Sequence, residues 1–487
     1  MSPETAILAA LAIPAVGAAL IVACGRVPNL RESVTLATAG LLLATVLALL
    51  PAVLGGARPA ITLFNLLPGI PLAFRVEPLG MLFALVASGL WIVNSLYSIG
   101  YMRGNDEHHQ TRFYACFALA LAATMGIAFS ANLLTLFGFY ELLTLVTYPL
   151  VTHHGDAEAR RGGRIYLGYL LATSIVFLLP AIVATWAFAG TLEFRPGGIL
   201  GGAALSNAAL GGLLALYMFG IGKAALMHVH RWLPAAMVAP TPVSALLHAV
   251  AVVKAGVFVV VKVIVYVFGP DTLAGVRAAD WLPTVAGFTI LAASIVALRA
   301  DNLKRRLAYS TVSQLAYVVL AAALLVPLSL VGAVLHIATH AVGKITLFFA
   351  AGAIYTAAHK IEVSQLDGIG RRMPWTMGAF AIGALSLIGI PPAAGFFSKW
   401  YMVQGAVAAG HWVALAVLSA STLLNAAYFL PIVYGAFFRP ERVAPAHDHG
   451  EAPAAAVAAL LVTAAATLVL PFLGTWPLAL ARATVGP

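Results

Sequence analysis

LLTLFGFYELLTLVTYPLV, residues 133–151, is a run of apolar and hydroxyl-bearing side chains with one carboxylic acid, Glu141, near its middle. A bilayer core is crossed by roughly 20 apolar residues in a helix, so the stretch has the length of a membrane span. Working outward, segments of that kind fill the chain. About fourteen candidates start near residues 4, 34, 78, 112, 131, 165, 207, 242, 282, 306, 328, 376, 409 and 454. Apolar residues make up 62% of the 487, charged residues only 9%, and the mean hydropathy is +0.98, a composition for an integral membrane protein. Period-2 alternation is missing, which disfavours a lipid-facing barrel. The short connections leave no room for a soluble catalytic domain. The expectation is an all-α, polytopic, single transmembrane bundle. The first span lacks a basic flank and a cleavage signature and reads as a retained helix. Cys24 and Cys116 lie in or beside apolar segments and do not suggest a disulfide framework.

A formal charge of +10 could signal nucleic acid, but its distribution says otherwise. With the first terminus outside, 17 basic residues, from Arg26 and Arg31 to Arg439 and Arg442, fall in loops on the inner side. Five, Arg58, Arg75, Arg195, Arg277 and Arg482, fall outside. Positive charge gathers on the cytoplasmic side of bacterial inner-membrane proteins, so both termini are expected outside. The five remaining basic residues are lysines within spans: Lys223, Lys254, Lys262, Lys344 and Lys399. Of the acids, Glu141 alone is mid-span.

An ionised group at the bilayer centre costs roughly 2.5–3.5 kcal/mol on insertion scales, so such residues mark function by default. Lys262, close to the Gly269-Pro270 stop, has an alternative in snorkelling to the headgroups. A structural ion pair is the alternative for Glu141. In GIGKAALMHVHRWLPAAMVAPTPVSALLHAVAVVKAG, residues 220–256, Lys223, His228, His230, His248 and Lys254 accompany prolines at 234, 240 and 242. Those prolines interrupt the helix and free carbonyls that a hydrated or protein-lined cavity must satisfy. Burial disfavours a charged lysine and a nearby carboxylate favours it, so a proton on one group alters the other. In AVLHIATHAVGKITLFFAAGAI, residues 333–354, His336, His340 and Lys344 recur every four residues and share one helical face. The histidines could ligate a metal, but no carboxylate or cysteine completes a set nearby; a proton relay fits better. LSLIGIPPAAGFFSKWYM, residues 385–402, sets Pro391-Pro392 and Gly395 before Lys399, a second broken helix with a lysine. Inverted-repeat transporters show such breaks in both halves.

With these blocks in place, the chain resembles the antiporter-like subunits shared by respiratory complex I and Mrp-type multisubunit cation/proton antiporters, most closely the D-type branch of the Mrp proteins. The likeness rests on FGFYELLTLVTYPLV, on the 220–256 block, on DNLKRRLAYSTVSQLAYVVL at 301–320, on HIATHAVGKITLFFAAGAI, and on RRMPWTMGAFAIGALSLIGIPPAAGFFSKWYM at 371–402. It implies fourteen helices, with two inverted five-helix repeats at about 112–268 and 282–437, broken in spans 7 and 12, around a hydrated axis. It further implies that Glu141 pairs with Lys223, that Lys254 links to His336, His340 and Lys344, and that Lys399 ends the path. By the same likeness, a chain stopping after span 14 lacks the lateral helix of the largest members. His447, Asp448, His449 and Glu451 read as a solvated linker rather than a metal site.

The function expected is proton translocation within a multisubunit Na⁺/H⁺ antiporter in a bacterial inner membrane. Glu141, Lys223, His248, Lys254, His336, His340, Lys344 and Lys399 would carry the proton, and other membrane subunits would be the partners. Rivals are a redox-driven pump, as in complex I or a membrane-bound hydrogenase, and a proton-driven inorganic-carbon uptake partner. A self-contained solute carrier fits less well, because the buried polar groups are titratable and strung along the bundle. No phosphate loop, dinucleotide fingerprint, metal quartet or nucleophile elbow is present, so neither a cofactor nor enzymatic catalysis by this chain is expected.

Overall fold

The computed structural model describes residues 2–203, 205–441, 450–472 and 475–486. Arg442 and the predicted polar residues His447, Asp448 and His449 lie outside them. The architecture is a polytopic α-helical membrane bundle, and all fourteen predicted starts fall on or within a few residues of a helix. Among the described residues, eleven helices are long and apolar enough to cross a membrane. The other three spans are Asn207–Gly220, Leu303–Ala323 and Pro374–Ile388. Local signals set their ends. Proline opens the helices at Pro3, Pro28, Pro78, Pro327 and Pro374, where its missing N–H costs nothing. Asn132, Asp156 and Asn302 cap theirs by accepting from the N–H groups of Thr135, Ala159 and Arg305 at 2.8, 2.7 and 3.0 Å.

Burial sorts the spans. The apolar windows of span 8 (Thr241–Phe268) and span 11 (Pro327–Ala358) are 100% buried, against 39% for Pro3–Ala23 and 33% for Ala454–Phe472. A helix apolar on every side belongs in the centre of a bundle, and these two central helices carry most of the buried lysines and histidines. Span 8 widens into π-helical turns at Leu246–Val250, which contains His248, and at Ile264–Phe268. Spans 7 and 12 are broken as expected. Asn207–Gly220 ends in the short turn Gly222–Ala224 that holds Lys223. Pro374–Ile388 gives way to Ala394–Ala408, which carries Lys399.

Two elements were not read from the sequence. The antiparallel hairpin Ala60–Leu67 and Ile70–Arg75 turns on Pro68-Gly69, with Gly69 at φ 78. The short helix Trp476–Val485 packs against spans 3 and 11. The hairpin marks one face of the bundle, where Arg75 donates to the Phe194 carbonyl at 3.1 Å and Phe74 pairs with Ser130. The opposite, basic face gathers the 105–109, 152–156, 300–302 and 359–373 connections. There His154 meets Glu107 at 3.3 Å, Lys304 donates to the Ala239 carbonyl at 2.6 Å, and Lys360 meets Glu441 at 3.2 Å. Glu451 is no solvated linker residue: it accepts from the N–H groups of Trp375 and Thr376 at 2.8 and 3.2 Å and so caps span 12.

Candidate proton path

Lys223, Lys254, Lys262 and Lys344 are fully buried and Lys399 is 7% exposed. Each ammonium therefore needs acceptors inside the protein. At the span 7 break, the Lys223 Nζ donates to the Tyr140 carbonyl at 2.8 Å and to the Thr144 hydroxyl at 2.7 Å, and lies 3.2 Å from the centroid of the Tyr140 ring. Gly256 of span 8 lets this turn approach, since a Cβ there would overlap the Lys223–Ala224 peptide. The implied Glu141–Lys223 ion pair is not closed. The Glu141 carboxylate oxygens are buried and receive no hydrogen bond from Lys223, which acts on them through space, with the Ser174 hydroxyl beside them. Tyr140, beside Glu141 in sequence, supplies the contacts instead.

In the second half the prolines explain the lysine. Pro391 and Pro392 have no N–H to give the carbonyls four residues earlier, Leu387 and Ile388. The Lys399 Nζ fills both vacancies at 2.6 and 3.2 Å, and stands 4.6 Å from the centre of the Tyr317 ring. Leu387 also receives the side-chain amides of Gln314 and Asn425, each at 3.4 Å.

Span 11 links these groups to span 8. The His336 ring bonds Gln314 Oε1 through Nε2 at 3.0 Å and Ser398 Oγ through Nδ1 at 2.9 Å, and stacks on His340 with centroids 5.6 Å apart. His340 Nδ1 is in hydrogen-bond contact with the Lys254 Nζ. Lys344, one turn further, donates to Ser310 Oγ at 2.5 Å and to the Leu307 carbonyl at 3.2 Å. A chain of contacts thus runs from Lys254 through His340 and His336 to Gln314, the Leu387 carbonyl and Lys399. Lys254 differs from the other four lysines, whose partners include fixed oxygens. Its partner is a ring nitrogen, which can accept a proton from the lysine or carry one itself.

Other predicted residues stand apart. Both ring nitrogens of His248 are unpartnered, and the ring packs on Phe348 at 4.6 Å. Among the described residues no direct hydrogen bond joins the Lys223 group to Lys254. Lys262 does not snorkel, and that alternative is withdrawn. It is buried against Glu77 at 3.2 Å and donates to the Ser130 carbonyl at 2.8 Å, because the start of span 3 and the hairpin wrap over its end of span 8. Tyr140, Thr144, Gln314, Tyr317, Ser398 and Glu77 escaped the sequence reading. Their only signal is polarity on a buried helical face, which Ser and Thr bonded to their own helix share.

At the basic face, outside the spans, a cavity of about 340 Å³ is bounded by Glu107, His154, Thr241, Lys304 and Tyr355. The Glu107 hydrogen bond holds the His154 imidazole above its ordinary pKa, helped by Asp156 and opposed by burial and Lys304. Burial pushes neighbouring His153 down to about 4, so at 3.8 Å from Glu107 it forms no ion pair near neutrality. A raised histidine pKa contributes stability that is complete below the unfolded value and lost as pH rises through the folded one. Amide exchange in residues 152–156, corrected for its intrinsic rise, should accelerate as pH rises above the ordinary histidine value of about 6.5. Glu107→Gln should flatten that profile; an equally steep profile in the variant would remove His154 as its cause.

Comparison with known proteins places the chain. The family described as "NADH:quinone oxidoreductase/Mrp antiporter, TM" matches residues 130–425, and "NADH-Ubiquinone oxidoreductase (complex I), chain 5 N-terminus" matches residues 68–114. The chain is 36% identical to NADH-quinone oxidoreductase subunit N of Desulforudis audaxviator over 75% of its own length and 72% of that protein's. It is 32% identical to the A/B component of a probable K(+)/H(+) antiporter of Rhizobium meliloti, over 78% of this chain and 38% of that one. The same identity holds with NADH-quinone oxidoreductase subunit L of Mycobacterium tuberculosis, over 79% and 60%. It thus spans less than two thirds of these last two relatives. The fold superposes on a chain in the structure of the Mrp complex from a Dietzia species with a TM-score of 0.87 and 24% identity, covering 100% of this chain and 97% of that one. More than half of the sequence carries the family's pattern, and the chain belongs to the family of proton-antiporter-like membrane subunits shared by NADH:quinone oxidoreductases and Mrp antiporters.

Proposed function

We propose that this chain is the D-type, proton-translocating subunit of a multisubunit Na⁺/H⁺ antiporter. The observation that carries the reading is the Lys254–His340 contact at the junction of the two wholly buried spans. A lysine and a histidine sharing one proton form a relay element rather than a structural brace. From there protons move by way of His336, Gln314 and Ser398 to Lys399, with Lys344 as a side branch; Glu141 and Lys223 set the charge state of the other half. Water would have to join His248 to this path, because neither ring nitrogen has a hydrogen-bond partner and the ring packs on Phe348, one turn from the cavity residue Ala351.

The two halves read as repeats on a further correspondence. In each, the lysine of the broken span stands over a tyrosine ring, Lys223 over Tyr140 and Lys399 over Tyr317, at nearly the same separation along the chain. It supports repeat units at about 112–268 and 282–437. The basic face would lie in the cytoplasm of a bacterial cell, with both termini outside. Membrane subunits packed on the less buried flanking spans would complete the assembly, and the near-complete cover of the Mrp chain favours that kind of assembly. The 36% identity with an oxidoreductase subunit N favours the second reading, a redox-driven pump.

Inverted vesicles carrying the intact assembly separate the two readings. With an acid interior, added Na⁺ should partly collapse the pH gradient, as followed by a pH-sensitive dye. No response to any alkali cation, with proton uptake driven by an electron donor instead, would replace the antiporter with the pump.

A further inference from the structure

On the hairpin face a cavity of about 420 Å³ is bounded by Arg58, Arg75, Glu77, Tyr266, Asp271 and Leu330. Glu77 stands immediately before span 3 without bonding its first N–H groups, is 4% exposed, and lies 3.2 Å from the Nζ of the fully buried Lys262. It thus has one side toward the cavity and the other toward a lysine on the central helix. Lys262 donates to the Ser130 carbonyl at 2.8 Å and faces the Phe194 ring at 4.2 Å, so its remaining partner is this carboxylate. Lys254 lies on the same helix, about 12 Å away along the axis at 1.5 Å per residue, a span that a short file of water could bridge.

We propose that the Glu77–Lys262 pair is a proton gate between this hairpin-face cavity and the relay at Lys254. The proposal rests on the proton-path reading above and adds its opening on this face. An ion pair that merely fastens span 3 to span 8 has no use for a polar cavity beside its carboxylate, whereas a gate requires one. The group served is a proton and not a metal cation. Lys262 already occupies the carboxylate, and two guanidiniums, Arg58 held by the Val53 and Ala57 carbonyls and Arg75 by that of Phe194, present positive charge to anything entering. Transfer moves one proton from the Lys262 ammonium to the Glu77 carboxylate, leaving both neutral, and Glu77 then releases it to cavity water.

Glu77→Gln in the whole assembly is the first test. Glutamine keeps an oxygen beside Lys262 but carries no titratable acid, so proton flux in vesicles should fall at least about tenfold (~1.4 kcal/mol in the barrier) with assembly unchanged. Glu77→Asp should restore part of it. Normal flux in Glu77→Gln overturns the gate. If Lys223→Met is silent while Glu77→Gln transports normally, only the gate fails; if both transport normally, the proton path fails too. Should Glu77→Gln not assemble, Leu330→Cys in a chain with Cys24 and Cys116 changed to alanine replaces it. A membrane-impermeant anionic thiol reagent added from the hairpin face should reach it and block flux, and a site that neither reacts nor blocks refutes the cavity as a port.

Discussion

Lys223→Met is expected to reduce ΔpH-driven flux by more than about tenfold, at least ~1.4 kcal/mol in the barrier, in vesicles whose assembly is intact. Methionine fills nearly the lysine's volume, so the turn at Gly222–Ala224 stays packed against Tyr140 and Gly256, and volume-conserving changes cost little in stability. What disappears is the cation held by the Tyr140 carbonyl, the Thr144 hydroxyl and the Tyr140 ring. The Ser174 hydroxyl also stands beside Glu141, but the Lys223 ammonium is the positive charge acting on it. Without it, any ionised state of Glu141 is an uncompensated buried charge. Glu141→Gln removes the other member isosterically and should give the same loss. Ordinary flux in either variant, in assembled complexes, would discard the pair as a switch.

Lys399 supplies the second large effect, and here two substitutions must differ. Lys399→Met withdraws the donor from Leu387 and Ile388, and an unsatisfied buried carbonyl costs about 1–3 kcal/mol. Leu387 keeps the Gln314 and Asn425 amides, so the cost falls mainly on Ile388. The span should hold while flux drops by more than about tenfold, because the chain of contacts then ends at a thioether. Lys399→Glu keeps a titratable group, but a carboxylate repels those two carbonyls and only its protonated form can donate to one of them. Its residual flux should therefore grow as pH falls, whereas Lys399→Met stays low throughout. Identical profiles for the two variants would show that a titratable group is not what this position requires.

The number and order of spans were legible because apolar length is a local property: a run of about 20 residues crosses a bilayer in any context. The breaks were legible for the same reason, since Pro391 and Pro392 lack N–H groups wherever they stand. The stripe of His336, His340 and Lys344 followed from helical period alone. Contact between helices was not legible. Glu77 sits at a span end, which in sequence looks solvated, yet the fold buries it and makes it the partner of Lys262. The family likeness implied a Glu141–Lys223 pair, but the fold supplies the Tyr140 carbonyl and the Thr144 hydroxyl as the acceptors of the lysine. Gln314 and Ser398 look like ordinary polar residues until span 11 brings His336 between them.

By itself the sequence determined that this chain is a bundle of membrane spans with lysines and histidines too deep to be ornamental, because burying ionisable groups in hydrocarbon is costly at any position. Only the tertiary structure decided which of them touch. Depth and partnership depend on residues tens to hundreds of positions away, and no local period or propensity encodes them.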